Sequence, residues 1–284
     1  MEVIGVDMGG TNIKVGAVRD GIILKESYAD VNTKETETET FEKLFTCIDE
    51  LFSKNIKAIG VGVPGVVDTT NGIVYDLQNI PSWKEVHLAA ILKKRYSIPI
   101  FVNNDANCFV MGEKLFGKAK RYKNCIGLSI GTGLGMGIII NEKIYNGVLS
   151  GAGEIGMVSY KNGILEDYTS SFFFSKNYDL NAKELHEMAK QNNPLALKAF
   201  QEFGGHLGIA MNNILYLFAP EAIILGGSIS KAFQFFKKSM YEKINSFAYP
   251  KQIKDLKIEI SELVGSPILG AASLCFQKLE KNDG

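Results

Sequence analysis

The stretch GVDMGGTNIKVGAV, residues 5–18, sets apolar residues on either side of a short polar centre. Val3 to Val6 and Ile13 to Val18 each fit a strand, and Asp7 to Asn12 between them fits a tight turn closed around glycines. Residues 126–140, IGLSIGTGLGMGIII, repeat the plan: an apolar strand, a glycine-rich turn carrying a threonine, and a second apolar strand. A third glycine turn, Gly226-Gly227, follows the apolar run from Ala222. The echo between the first two stretches is weak as sequence and clear as architecture, and it predicts two lobes of related build, each offering one glycine turn.

Strand and helix alternate along the rest of the chain, the pattern of an α/β fold. Phe41, Leu44, Phe45, Ile48, Leu51 and Phe52 recur at helical spacing within 40–54. Ala58 to Val63 reads as a strand running into Pro64-Gly65. Ile98 to Val102 reads as another, ending at Asn103-Asn104-Asp105, after which a helical pattern runs through Phe116. A long helix is predicted from Pro194 to Phe218, stopped by Pro220, and a last one from Pro267 to Leu279. These elements predict an N-terminal lobe over 1–116, with a helix over 267–284 packing back on it, and a C-terminal lobe over 117–266; Lys281 to Gly284 are expected to fray.

At 284 residues the chain is long enough for two such lobes. With 31 basic against 31 acidic side chains, no global field steers it toward nucleic acid or an anionic membrane, so a charged ligand must be met locally. The run from Ile126 to Ile140 is too short to span a bilayer, and the N-terminus has no basic leader ahead of an apolar core; a cytoplasmic protein is expected. Cys47, Cys108, Cys125 and Cys275 lie far apart in apolar settings, as reduced buried thiols do. His87, His186 and His206 are equally scattered and read as surface or core residues, so no metal cluster is expected.

Glycine turns after strands let backbone N–H groups close on phosphate oxygens, because no Cβ stands in the way. The Walker A string is absent, and so is the Rossmann spacing, since Gly131, Gly133, Gly135 and Gly137 recur every second residue. A turn reading Asp-Met-Gly-Gly-Thr-Asn is a different device. Asp7, at the end of a buried strand, could hold the water shell of Mg²⁺ while Gly9, Gly10 and the Thr11 hydroxyl reach phosphates. One such turn is explained by conformational preference alone. Three at strand ends, one with an aspartate and two with hydroxyl residues, favour the phosphate reading.

Seven motifs, VDMGGTNIK (6–14), VGVPGVVD (61–68), NNDANC (103–108), GTGLGMG (131–137), GAGEIG (151–156), LEDYTS (165–170) and LGGSIS (225–230), resemble in order and spacing those of the ROK family of bacterial sugar kinases and repressors. The resemblance covers the chain from its first strand to its last helix. It implies the actin and hexokinase type of ATPase fold, two ribonuclease H-like α/β lobes with a cleft between them, and commonly a homodimer. It further implies that ATP, with Mg²⁺ near Asp7, is held by Asp7, Gly9, Gly10, Thr11, Asn12, Lys14, Gly131, Thr132, Gly133, Gly135, Gly226 and Gly227. Gly65, Asn79, Asn104, Asp105, Glu154 and Glu166 would then face the sugar.

Asp105, at the start of a predicted helix whose positive end favours a carboxylate, suits the group that takes the sugar hydroxyl's proton. Spacing alone leaves open that Asp105 or Asn104 merely caps the helix; the resemblance to the family's catalytic aspartate in the same motif assigns Asp105 to catalysis. Glu154 and Glu166 taken singly read as surface acids. The resemblance makes them the pair that accepts hydrogen bonds from adjacent sugar hydroxyls.

The chain also departs from the family pattern. Many members carry a histidine after the G-E-I-G string and then a cysteine-rich knuckle, which bind a structural zinc. Here Met157 stands at the histidine position and VSYKNGI (158–164) has no thiol, so no zinc site is expected. The loop would be held by packing through Ile164, Tyr168 and Phe172-Phe173-Phe174, a run that reads equally as core or as a dimer contact. Met157 offers a flexible apolar surface where an acetamido group at C2 would sit. The zinc-less pattern resembles a subgroup of N-acetylmannosamine kinases that form the 6-phosphate in sialic acid catabolism. Glucokinase, or an N-acetylglucosamine or fructose kinase, is the rival. The family's repressors carry a helix-turn-helix module ahead of the kinase-like part, for which a first strand at Val3 leaves no room. A catalytically silent sugar sensor would lack Asp105 or the glycine turns.

Overall fold

The computed structural model describes residues 1–9, 11–32, 34–77 and 80–279. The chain opens with strands β1 (Glu2–Met8), β2 (Asn12–Arg19) and β3 (Ile22–Asp30), helix α1 (Glu37–Asp49) and strand β4 (Ile56–Val63). Three short strands follow, β5 (Val66–Asp68), β6 (Ile73–Tyr75) and β7 (Glu85–Val86), then α2 (Leu88–Tyr96), β8 (Ile100–Asn104) and α3 (Asp105–Phe116). Next come β9 (Cys125–Ile130), β10 (Leu134–Ile140), β11 (Lys143–Ile144), β12 (Ser159–Tyr160) and β13 (Gly163–Ile164). Helices α4 (Glu166–Thr169), α5 (Ser171–Tyr178), α6 (Ala182–Lys190) and α7 (Pro194–Phe218) lead to β14 (Ala222–Gly226), α8 (Phe233–Ile244), α9 (Pro250–Ile253), β15 (Lys257–Ile260) and α10 (Ser266–Leu279).

Two compact α/β units emerge. The first takes Met1–Arg121, Gly137–Ala152 and the segment from Glu262 onward; the second takes Tyr122–Met136 and Gly153–Ser261.

In the first unit the sheet runs β3-β2-β1-β4-β8, with β1, β2 and β3 antiparallel in turn and β1, β4 and β8 parallel. Strand β1 is apolar and buried from Val3 to Val6 because both its faces are covered. Ile4, Val6 and Met8 join a core with Phe41, Leu44 and Ile48 of α1, while Val3 joins Ile268, Leu269 and Ala272 of α10 on the other face. Helix α10 lies hard against the strands: a Cβ on Gly5 would stand 2.2 Å from the Ile268 carbonyl oxygen, and one on Gly60 2.0 Å from that of Ala271.

Helix α1 starts at Glu37, earlier than the apolar stripe begins, because Thr36 and Glu39 form a reciprocal capping box. It ends at Asp49, so Leu51 and Phe52 continue the periodicity beyond the helix, with both their amides donating to the Ile48 carbonyl. Strand β8 begins after Pro99, not at Ile98, and includes Asn103 and Asn104. Edge strand β3, mostly exposed and without apolar alternation, has no counterpart in the sequence reading.

The second sheet runs β11-β10-β9-β14-β15, with β14 parallel to both β9 and β15. Helix α7 keeps the bounds its pattern predicts: Asn193 caps it, Pro194 opens it, and Ala219 closes it in a left-handed conformation ahead of Pro220. It packs on α8 through Gly204 and Gly208, whose added Cβ atoms would meet the Phe236 and Met240 carbonyl oxygens at 2.3 and 2.6 Å. Phe173 and Phe174 are buried and stack into Phe200 and Phe203, whereas Phe172 is exposed. The four cysteines are buried, and no helix among the described residues is long and apolar enough to cross a membrane.

Candidate active site

In the first unit the parallel strands bring their carboxyl ends to one edge of the sheet, where ligands of α/β folds gather. Asp7 of β1, Gly62 of β4 and Asn103 of β8 stand side by side in register, with Lys14 of β2 opposite Asp7. Burial pushes the Asp7 carboxyl up to about 6, partly offset by the Lys14 charge. A carboxylate kept short of water in this way suits a hydrated cation. Beyond it, Gly9 N–H donates to the Asn12 carbonyl at 2.8 Å and Asn12 Nδ2 to the Thr11 hydroxyl at 3.3 Å, and Thr11 is exposed. Gly10 and Asn79 lie outside the described residues.

The capping question at α3 has a direct answer. Asn104 is the cap: its Oδ1 accepts from the Ala106 and Asn107 amides at 2.9 and 3.3 Å. Its Nδ2 donates to the Gly65 carbonyl at 3.2 Å, and Gly65, at φ 96°, has open space where a side chain would be. Asp105 occupies the first helical position and is exposed; its Oδ1 accepts from the Ala106 amide at 2.8 Å. Cys108, one turn further on and buried, has its thiol pushed up by burial first and then by the charges of Asp105 and Asp7.

Beneath this edge lies a polar network that the sequence reading missed. Asn103 Oδ1 accepts from the Asn104 amide (2.8 Å), Asn107 Nδ2 (3.1 Å) and Ser150 Oγ (3.1 Å), and its Nδ2 donates to Asn146 Oδ1 at 3.0 Å. It ties the strand–helix junction to the segment 146–151, in which Leu149 and Ser150 both have positive φ. Three asparagines within five residues, 103–107, were the available signal.

The second unit places its predicted residues around the turn between β9 and β10. Gly131 N–H donates to the Gly133 carbonyl at 3.0 Å, and a Cβ on Gly131 would stand 3.6 Å from Ser228 Oγ. Gly226 pairs with Ser129, and Gly227, at φ 82°, lies against the Ile130 backbone, so two of the glycine turns meet. Thr132 is exposed at the tip; Gly135 lies in strand β10, outside the turn. Glu166 Oε2 accepts from the Leu134 amide at 2.8 Å. Glu154 is exposed overall, yet the partial burial of its carboxyl and then the Glu166 charge raise its pKa, which brings the two acids together.

The loop following Glu154 is held by aromatic contacts. Tyr160 Oη and His206 Nδ1 are hydrogen-bonded at 3.0 Å, and the rings of Tyr160, Tyr168, Phe173 and His206 pack edge to face. Burial, then Lys161, brings His206 down to about 4, so its ring is neutral at ordinary pH. Met157 is exposed. Among the described residues no group of three or more His, Cys, Asp or Glu side chains is arranged to hold a metal ion.

This architecture is the actin- and hexokinase-like α/β fold, and the chain belongs to the ROK family, whose model matches residues 3–278. It is 30% identical to a glucokinase of Thermotoga maritima over 98% of each chain. It is also 30% identical to the xylose repressor of Bacillus subtilis, over 95% of this chain and 76% of the repressor. Among solved structures, a ROK family glucokinase from Streptomyces griseus in complex with glucose and AMPPNP superposes with a TM-score of 0.82 at 25% identity, covering 96% of this chain and 99% of that one. A Listeria monocytogenes protein, proposed to be an N-acetylmannosamine kinase, has the same fold, with a TM-score of 0.84 at 23% identity over 98% and 99% of the two chains.

Proposed function

We propose that this chain is an ATP-dependent sugar kinase that phosphorylates the 6-hydroxyl of an amino sugar or hexose, with N-acetylmannosamine preferred. The carrying observation is Asp105: capping of α3 falls to Asn104, which leaves the Asp105 carboxylate exposed at the ligand-bearing edge of the sheet. In the proposed reaction the sugar hydroxyl hydrogen-bonds to that carboxylate. As the oxygen bonds to the γ-phosphorus of ATP, the bond to the β–γ bridging oxygen breaks, ADP leaves, and the proton passes to Asp105. Asp7 would hold Mg²⁺ through water, and the ion would neutralise charge on the phosphates. The glycine turns would hold ATP, Glu154 and Glu166 would accept hydrogen bonds from the sugar, and Asn104 and Gly65 would contribute further sugar contacts. The protein would act in the cytoplasm as a homodimer.

The acetamido preference rests on Met157, an exposed apolar side chain three residues after Glu154. Glucose is the second reading, supported by the 30% identity to a glucokinase along nearly the whole chain. ADP release measured with N-acetylmannosamine, N-acetylglucosamine, glucose and fructose separates them. The highest kcat/KM is expected for N-acetylmannosamine; a clear preference for glucose refutes the acetamido reading, and no turnover with any of the four favours a sensor.

A further inference from the structure

Glu166 stands at a junction inside the second unit. Its Oε2 accepts from the Leu134 amide at the exit of the glycine turn, at 2.8 Å. Five residues on, the Ser171 amide donates to the Gly131 carbonyl at 2.8 Å and Ser171 Oγ to the Thr132 carbonyl at 3.4 Å. The segment 166–171 therefore grips the turn at entry, tip and exit. Neighbouring glycines make room for the carboxylate: a Cβ on Gly133 would lie 2.5 Å from Glu166 Oε2, and one on Gly156 3.3 Å from it. No sequence spacing announces this contact, since Glu166 and Leu134 are 32 residues apart.

We infer that Glu166 couples the two ligands: Oε2 positions the phosphate-binding turn while Oε1 meets the sugar, so that each ligand raises the affinity for the other. The inference rests on the proposed function, which gives the turn to ATP and the acid to the sugar. Sugar hydroxyls donating to Oε1 would fix the carboxylate plane, and a fixed plane holds the Leu134 amide and the turn's backbone donors in place. The ordering cost is then met before the nucleotide arrives, and by linkage the gain is reciprocal. Glutamine keeps an oxygen that can accept from Leu134 but presents an amide nitrogen to the sugar. Alanine removes both contacts.

The test measures by calorimetry the affinity of a non-hydrolysable ATP analogue, alone and with N-acetylmannosamine or glucose raised until the response stops changing. In the wild type, sugar is expected to tighten the analogue by about five-fold or more. Glu166→Gln is expected to keep the sugar-free affinity within about two-fold, with the sugar effect reduced to about one-fold. Glu166→Ala is expected to weaken sugar-free binding by about five-fold, the equivalent of one lost hydrogen bond. Glu154→Gln, which leaves the bond from the Leu134 amide to Glu166 in place, is expected to need more sugar yet to reach the wild-type ratio. Coupling through Glu166 is overturned if Glu166→Gln retains the wild-type ratio, or if a folded Glu166→Ala binds the sugar-free analogue as the wild type does. A wild type that binds both ligands independently overturns the coupling alone, whereas one that binds neither overturns the kinase reading beneath it.

Discussion

The sheet orders β3-β2-β1-β4-β8 and β11-β10-β9-β14-β15 describe the same walk, yet the hairpin turn carries its own carboxylate in the first unit and borrows one in the second. Asp7 comes from the first strand itself and is half-buried; Glu166 arrives from a helical segment 32 residues after the turn's exit and bonds to its backbone. The difference teaches that the shared scaffold supplies strand ends and glycines, while the segments inserted after them decide which charges are present. In the first unit the chemistry is built into the sheet edge. In the second it depends on how 153–178 folds over the turn.

The sharpest way to break this comparison is at Asp105. Asp105→Ala is expected to lower kcat by about 10²–10⁴-fold with sugar affinity changed only a few-fold, as loss of a general base should. Steady-state kinetics together with sugar titration check both halves, and a variant within ten-fold of wild-type kcat removes Asp105 from the mechanism. The substitution should leave the second unit's glycine turn untouched.

Asp7→Asn comes next, because it sets activity against stability. A carboxyl raised from 3.8 unfolded to about 6 folded contributes fully to stability below about pH 4 and loses that contribution as pH rises through 6. Ionised Asp7 therefore costs the ligand-free protein up to about 3 kcal/mol at neutral pH. Asparagine should recover much of that at about pH 8, flatten the slope between pH 4 and 6, and abolish turnover. Urea unfolding across pH measures it; a variant less stable than wild type at pH 8 contradicts the burial argument.

The smallest expected effect sharpens the contrast through a matched pair of glycines. Gly60→Ala drives a methyl to within 2.0 Å of a carbonyl oxygen of α10 and should cost about 1–3 kcal/mol of stability. Gly133→Ala meets only the end of the Glu166 side chain, at 2.5 Å. It should cost less than about 1 kcal/mol, and its main effect should be weaker nucleotide binding. Thermal unfolding and analogue titration of both variants would reverse the comparison if Gly133→Ala proved the less stable.

Legibility from sequence followed the physics of each element. Strands β1, β2 and β4 and helix α7 were readable because burial on one or both faces writes a periodic apolar pattern, and Asn193 with Pro194 marks where α7 begins. Strand β3 was not, since an exposed edge strand such as IILKESYAD is held by its backbone ladder and needs no alternation. The three-stranded sheet β5-β6-β7 is built from strands too short to show a period. The glycine turns were legible as turns, and two of them do meet. The division of labour between Asn104 and Asp105 was not, because both are good caps and only the hydrogen bonds distinguish them. The contact of Glu166 with Leu134, and that of Asn103 with Ser150, join residues distant in sequence through backbone or small polar groups, which leave no periodic trace.

Helix α10 covers the rear of β1 and β4 with residues made more than 200 positions after those strands. As the chain leaves the ribosome, Val3, Val18 and Ala58 must wait, uncovered on that side, until nearly everything else has been translated. The opening portion therefore cannot complete its core until the last helix has been translated.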